Sequence, residues 1–275
     1  MDQFSEHSVG DVHPDLPLSK SQIADWVHTC ASLVVRISGQ KISDRRPDQK
    51  NNIQYPFAKL RGQRVRNKGS GWVGDVDGPY KGICPCGFCL YSSNKHSKFW
   101  EVKIYTACHV VFDQAEADDV EVVLFDEKSN GSGAEHMLRA RVIETNVDGD
   151  YCWLACYTHN EQLVERVTEL RVKRGEMRRC LDKRFENFAA DHFDKVPVFV
   201  VGHPHGRMKY ITVGSFDARE GESMTYDVHT CPGNSGGAVL PIGLNCGKGR
   251  WLVSHPHSGA VGKTKGASAS WSLRW

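Results

Sequence analysis

Thr230-Cys231-Pro232-Gly233-Asn234-Ser235-Gly236-Gly237-Ala238-Val239-Leu240 places a candidate nucleophile, its turn and the strand that follows in eleven consecutive residues. A reactive serine needs a hydroxyl that projects freely and backbone N–H groups aimed at a developing oxyanion. Glycines allow the required sharp turn without a Cβ in the way, and Gly233, Gly236 and Gly237 supply that freedom. The apolar run 238–240 reads as a buried strand that fixes the turn. Taken alone, Asn-Ser-Gly-Gly is equally a polar turn between two strands, so partner residues elsewhere must decide.

Ser235 becomes a nucleophile only if a base removes its proton and a third group orients that base. In Ile104-Tyr105-Thr106-Ala107-Cys108-His109-Val110-Val111 a histidine ends an apolar strand, and His109 is the best candidate base. Asp148-Gly149-Asp150-Tyr151-Cys152-Trp153-Leu154 puts a carboxylate directly before another strand. Asp150 is the better orienter, with Asp148 in reserve.

Thr-Ala-x-His-Val around His109, Asp-x-x-x-Leu from Asp150 and Gly-Asn-Ser-Gly-Gly around Ser235, in that order, resemble the chymotrypsin-like serine peptidases. Residues 232–237 and Val201-Gly202-His203-Pro204-His205-Gly206 are closer to the bacterial-type, high-temperature-requirement branch than to digestive trypsins. The resemblance runs over about residues 32–275. It implies an all-β fold: a double antiparallel β-barrel with the site in the cleft between barrels, whereas periodicity alone says only all-β. It further implies a serine endopeptidase acting on protein or peptide substrates, with His109 as base, Asp150 as orienter, and the N–H groups of Gly233 and Ser235 as oxyanion hole. No cofactor and no catalytic metal are expected.

The same resemblance places His229 at the base of the pocket for the residue preceding the cut, with Thr230 beside it and Ser254, His255, Pro256 and His257 along the wall. Histidines there donate to a carboxylate or amide, which favours Glu, Asp or Gln. Pro256 departs from the pattern: it falls near a position where relatives pair a glycine with the substrate backbone, and proline has no N–H to give. Either the register shifts by one, making His257 the pocket histidine, or substrate is held by one bond fewer. Asn234 cannot form the ion pair that an aspartate makes with a freshly cut N-terminus in zymogen-activated relatives, so no such activation is expected. A catalytically inactive, peptidase-like binding module is the alternative, and Pro256 is its best argument.

Composition is that of an ordinary globular chain of 275 residues, 40% apolar and 25% charged. It has room for two small barrels or one larger domain, so composition does not set the fold class. A net charge of +2 gives no reason to expect a nucleic-acid or membrane partner. Residues 1–20 carry Asp2, Glu6, Asp11 and Asp15 without an apolar core, which is not the pattern of a secretory signal. No later apolar run approaches the roughly 18 residues that span a bilayer. Ten cysteines do not reproduce the disulfide framework of secreted relatives: Cys231 has no cysteine within 254–262 to receive it. Both observations point to an intracellular, cytoplasmic protein. Oligomeric state is not set by the sequence, and the short ending 267–275 is consistent with a piece of a longer chain.

Along the chain, a tail and short helix fill 1–31. The helix covers 21–31 with Ser21 as N-cap and Ile23, Trp26, Val27 and Cys30 on one face, and is expected to pack on the outside. The peptidase-like domain then takes 32–275: a first barrel over about 32–158, a helical or irregular insertion over about 160–192, and a second barrel over about 195–275. The segment between the strand at 33–37 and Gly69 is rich in Arg and Lys, including Arg45, Arg46, Arg61, Arg64 and Arg66, and reads as a solvated loop. Strands at 120–125 and 140–145 are joined through an Asn-Gly hairpin signal. The basic run from Arg171 to Arg184 reads first as a solvated face and second as a site for an acidic partner. Second-barrel strands are expected at 198–202, 209–216, 223–229, 236–242 and 250–254. Cys84, Cys86 and Cys89, with His96 following, could hold a tetrahedral zinc ion, although the spacing is not a well-attested one and three buried or loop thiols are the alternative.

Overall fold

A computed structural model describes residues 18–127, 131–191, 196–220, 223–242, 255–261 and 265–268. The first half forms α1 (Lys20–Ser32), β1 (Val34–Gly39), the short β2 (Gln49–Lys50) and β3 (Ile53–Gln54), β4 (Asn67–Lys81), α2 (Gly87–Tyr91), β5 (Lys98–Thr106), α3 (Gln114–Ala117), β6 (Glu121–Leu124), β7 (Glu135–Leu138), β8 (Ala140–Asn146) and β9 (Tyr151–Thr158). Seven of these strands make one antiparallel sheet in the order β7-β6-β1-β4-β5-β9-β8, and β2 pairs with β3 in a separate hairpin. β7 and β8 stand at opposite edges of that sheet, yet Arg139 alone joins them, at φ 67°. The sheet must therefore curl until its two edges come side by side.

The long α4 (Glu161–Asp191) crosses to the second half, where β10 (Pro197–Gly202), β11 (Tyr210–Glu220), β12 (Ser223–Asp227), β13 (Ala238–Pro241), β14 (His255–Val261) and β15 (Lys265–Ser268) close into a barrel ordered β10-β11-β12-β15-β14-β13. The chain is thus mostly β, in two curled antiparallel sheets with few helices, as the sequence led us to expect. The strand expected at 250–254 lies outside the described residues.

Alternation along the strands explains why two barrels stick together. In β10, Val198 and Val200 point into the second barrel's own core with Tyr226, Phe216 and Val239. Phe199 and Val201, on the other face, join a separate cluster with Trp72 and Tyr105 of the first sheet. A strand buried on both faces reads as an unbroken apolar run, which is what Pro-Val-Phe-Val-Val is. β5 divides likewise: Val102 and Ile104 enter the first core and Tyr105 the shared one.

Several local expectations change. The cap of α1 is Ser19, two residues earlier than Ser21, and it forms a capping box with Gln22. The helix does not pack on the outside: Ile23, Trp26, Val27 and Cys30 fill the cluster between the barrels, because a stripe that apolar must be covered. The hairpin after β6 returns through β7, which the sequence did not show, and β8 pairs with β9 instead. α4 is a continuous helix whose Leu163 and Val167 reach the first core and Leu181 the shared one. Its basic run is only partly solvated, since Arg171 pairs with Asp75 and the Arg174 guanidinium lies 5.2 Å from the Trp72 ring centroid. Arg46, expected in a solvated loop, is 1% exposed and bound to the equally buried Glu116.

Candidate active site in the cleft between the barrels

β5 ends at Thr106, and the turn that follows brings His109 to a cleft of about 700 Å³ whose walls come from both sheets. Asp150, the residue before β9, sits there in the left-handed region at φ 52°, a conformation that aspartate tolerates better than most side chains. Its carboxylate faces the His109 ring, with Nδ1 at 2.8 Å from Oδ2 and 3.0 Å from Oδ1, and the His109 backbone N–H donates to Oδ1 at 3.1 Å. Ser258 Oγ donates to Oδ2 from the other side. Burial by itself would raise the Asp150 pKa; the His109 charge and the bonds from His109 and Ser258 bring it below the usual carboxylate range. Asp148 is exposed and contributes its backbone carbonyl to Lys50 Nζ at 2.8 Å.

Ser235 lines the same cleft from the turn before β13. Its Oγ donates to the Ser258 carbonyl at 3.4 Å, and no hydrogen bond joins it to His109 among the described residues. The turn is held by backbone contacts on every side. His205 N–H donates to the Pro232 carbonyl at 2.6 Å and Gly237 N–H to the Asn234 carbonyl at 2.8 Å. In a trans peptide the N–H points opposite to the carbonyl. These two bonds therefore turn the Gly233 and Ser235 N–H groups the other way, and among the described residues neither donates to a protein acceptor. Gly236 N–H donates to the His257 carbonyl at 2.7 Å and His257 N–H to the Gly237 carbonyl at 2.8 Å, which ties the turn to β14.

The first barrel supplies a clamp that the sequence reading missed. Ser70 of β4 donates its N–H to the Ser235 carbonyl at 2.7 Å and its Oγ to the Gly233 carbonyl at 2.7 Å. The same Oγ accepts from His203 N–H at 2.8 Å, and the Ser70 carbonyl accepts from Thr106 Oγ1 at 2.7 Å. Gly236, at φ +83°, packs so closely here that a Cβ would stand 2.0 Å from the Ser70 carbonyl oxygen. A serine between two glycines in a strand was the available signal, because such glycines mark close backbone approach. Arg46 is the second omission: Nη1 donates to the His109 carbonyl at 3.0 Å while Nε and Nη2 each meet Glu116 at 2.7 Å. The polar segment after β1 also builds one wall of the cleft through Lys50, Asn51, Ile53 and residues 54–57.

The predicted pocket residues separate. His229 is exposed and Thr230 half-buried, and neither lines the cleft. Ser254 lies outside the described residues. His255 and Pro256 pair with Val239 and Ala238 in the barrel, so Pro256 is a buried strand residue and not a missing partner on the cleft wall. His257 is 3% exposed, with Nδ1 at 2.6 Å from the Tyr226 hydroxyl. Burial, with the nearby His109 charge, pushes its pKa down to about 4, so its ring is neutral at neutral pH. Like His229, His257 does not line the cleft, whereas Ser258 and Gly259 do.

Away from the cleft, the sulfurs of Cys84, Cys86 and Cys89 converge with His159, the residue after β9. His96 is not the fourth member of that group; its ring stacks on His159 at 3.6 Å between centroids. The spacing of 70 residues between Cys89 and His159 gave the sequence no means of joining them.

Neither a protein-family model nor a curated protein matches this sequence. Among solved structures, the chain is similar to the HtrA-type protease AlgW with a tripeptide, at 14% identity and a TM-score of 0.48, over 90% of this chain and 59% of that one. It is also similar to a variant of that protease with a decapeptide, at 15% identity and a TM-score of 0.48, over 90% of this chain and 62% of that one. The chain thus spans less than two thirds of the length of the proteases it matches. By its own topology, a curled seven-stranded antiparallel sheet followed by a closed antiparallel barrel, the chain has the double antiparallel β-barrel architecture expected from its sequence.

Proposed function

We propose that the chain is a serine endopeptidase in which Ser235 attacks the scissile carbonyl, His109 carries the proton to the leaving amine, and Asp150 holds the imidazole in the required tautomer. The observation that carries this reading is the His109–Asp150 pair, bonded at 2.8 Å and backed by Ser258, facing the same cleft as a serine whose turn leaves two N–H groups free among the described residues. With Nδ1 committed to the carboxylate, Nε2 is the nitrogen left to accept the Ser235 proton. In this reading Ser235 Oγ leaves the Ser258 carbonyl, to which it is held at only 3.4 Å, for that nitrogen when substrate binds; such bonds are often loose before substrate arrives. The N–H groups of Gly233 and Ser235 then receive the oxyanion, each such donor being worth about 2.7–4 kcal/mol in the transition state. The reaction needs no cofactor.

His257 is the specificity residue of this reading. If the Tyr226 hydroxyl donates to its Nδ1, the remaining Nε2–H is a donor with no charge behind it. That matches a glutamine carbonyl best and leaves a bound carboxylate poorly compensated in a dry pocket, so Gln stands ahead of Glu and Asp. We also place the protein in a reducing, intracellular compartment, supported by the nine cysteines among the described residues, all of them free.

One observation favours a second reading, an inactive peptide-binding module: Ser235 Oγ is bonded to the Ser258 carbonyl and not to His109. Labelling with a fluorophosphonate probe separates the two. The native chain is expected to label, and Ser235→Ala and His109→Ala are not, because removing nucleophile or base costs about 10⁶ in rate in such triads. A folded native chain that does not label would overturn the peptidase reading in favour of the module.

A further inference from the structure

We propose that Cys84, Cys86, Cys89 and His159 form a structural zinc site that bolts the β4–β5 connection to the end of β9. The argument is geometric. His159 Nδ1 lies 3.6 Å from Cys86 Sγ and 3.5 Å from Cys89 Sγ, and the four ligand atoms all lie within 4.8 Å of one another. With Zn–S near 2.3 Å and Zn–N near 2.0–2.1 Å, tetrahedral coordination puts ligand nitrogen and sulfur about 3.5–3.6 Å apart and two sulfurs about 3.8 Å apart. The observed S···N separations match that value.

Hydrogen bonding explains the cluster less well. One Nδ1 has either one lone pair or one proton, so it can make one good bond to a thiol but not two. Here it stands equally close to two sulfurs, with a third beside them. A packing role for three small apolar residues accounts for the burial of the cysteines, each 1–2% exposed. It does not account for a ring nitrogen aimed among them. A cation at the centre satisfies all four atoms together.

The surroundings fit a bound metal. The Cys89 backbone N–H donates to Cys86 Sγ at 3.4 Å, a bond that favours thiolate over thiol. His96 approaches Cys89 Sγ with Nδ1 at 3.3 Å and stacks on His159 with an interplanar angle of 5°, fixing the orientation of the ligand ring. Such outer partners are half of how a metal site is built. Because the protein fills all four positions, the site is closed and its role is structural. It would join two segments far apart in sequence, the loop holding the cysteines and the strand end from which α4 departs. Metal binding is then part of the folding free energy.

The test uses the full chain, expressed with zinc in the medium and purified without chelator. Elemental analysis should find stoichiometric zinc that survives dialysis. Exchange with Co²⁺ should give the d–d bands of tetrahedral cobalt together with thiolate-to-metal charge transfer. His159→Ala should lose that spectrum, whereas His96→Ala should keep it at an affinity weakened by about 10–100-fold, as for other outer partners. Cys89→Ser checks the thiolate contribution, and far-ultraviolet circular dichroism confirms that each variant is folded. A folded native chain with no bound zinc, no cobalt spectrum and three freely titrating thiols at this site would overturn the proposal. So would a spectrum unchanged by His159→Ala, or iron in place of zinc.

Discussion

Arg46 and Glu116 offer the sharpest test of how the His109 turn is held. Both are within 2% of full burial, and two bonds of 2.7 Å join them side on. The Arg46 guanidinium also donates to the carbonyls of His109 and Pro56, and its centre lies 5.4 Å from the Phe57 ring and 5.5 Å from the Phe112 ring. Glu116 in turn accepts the backbone N–H groups of Ser43 at 2.8 Å and Phe112 at 3.0 Å. Arg46→Met leaves a buried carboxylate without its counter-charge, which costs about 3–5 kcal/mol. Glu116→Leu should cost more, since it strands the guanidinium and also orphans two N–H groups at about 1–3 kcal/mol each. In the double variant neither charge remains, and only the orphaned backbone groups are left to destabilise it. The two substitutions together should therefore cost at least about 2 kcal/mol less than their separate effects predict, the scale of coupling expected within one network. Equilibrium urea unfolding followed by tryptophan fluorescence measures all three. Additive effects, or an Arg46→Met variant destabilised by less than about 1 kcal/mol, would refute the argument. Fluorophosphonate labelling of the folded Arg46→Met chain should also slow, since the His109 carbonyl loses its anchor.

Gly236→Ala combines a positive φ with a Cβ 2.0 Å from the Ser70 carbonyl, whereas Gly133→Ala shares a positive φ of 85° and meets nothing within 4 Å. The first should abolish labelling and destabilise well beyond the second, whose strain alone costs about 1–3 kcal/mol; equal thermal shifts would remove the close approach from the account. Acid should destabilise the fold before carboxylates titrate. The pKa values of His257 and His203 are held down to about 4 and about 3 by burial, so the unfolded chain takes up their protons first. Their stabilisation is complete above about pH 6.5 and falls away as the pH drops towards 4 and then 3, by about 3 kcal/mol for His257; a flat urea midpoint from pH 7 to 4.5 would contradict it. Asp150 adds in the same direction, with its lowered pKa contributing stability above about pH 4 that is lost below it. Tyr226→Phe removes the hydroxyl that meets His257 Nδ1, and a peptide-library profile should lose its preference for Gln over Leu; an unchanged profile would remove His257 from the specificity pocket.

The candidate catalytic residues were easier to read in the sequence than those that hold them in place. Ser235, His109 and Asp150 each sit in a short motif beside an apolar strand, so local sequence marks them without any knowledge of contacts. Ser70 meets Gly233 across 163 positions, Ser258 meets Asp150 across 108, and Arg46 meets Glu116 and His159 meets Cys89 across 70 each, so no local window contains both ends of such a bond. Arg46 was misread for a further reason: a run of arginines looks solvated unless one of them has a buried carboxylate to meet, and Glu116 comes 70 residues later. For the wall at 254–257 the sequence left two registers open, because only strand pairing to β13 places Pro256, and that partner lies outside any local window.

How the clamp is distributed says something about how the site is made. Ser70 and Thr106 belong to the first sheet, Gly233 and Ser235 to the second barrel's turn, and His203 to the loop after β10. Apart from the Thr106–Ser70 bond within the first sheet, these bonds cannot form within one barrel alone. Docking, in turn, is driven by the shared apolar cluster, in which Trp26 of α1 packs with Trp72, Tyr105, Phe199 and Val201. Burying those side chains supplies the free energy, at about 1.5–3 kcal/mol for each large apolar group. The clamp then fixes the distance between His109 and Ser235 as a consequence of that docking. Precision at the cleft therefore depends on α1 as much as on the turn at Ser235, although α1 contributes no residue to the cleft lining.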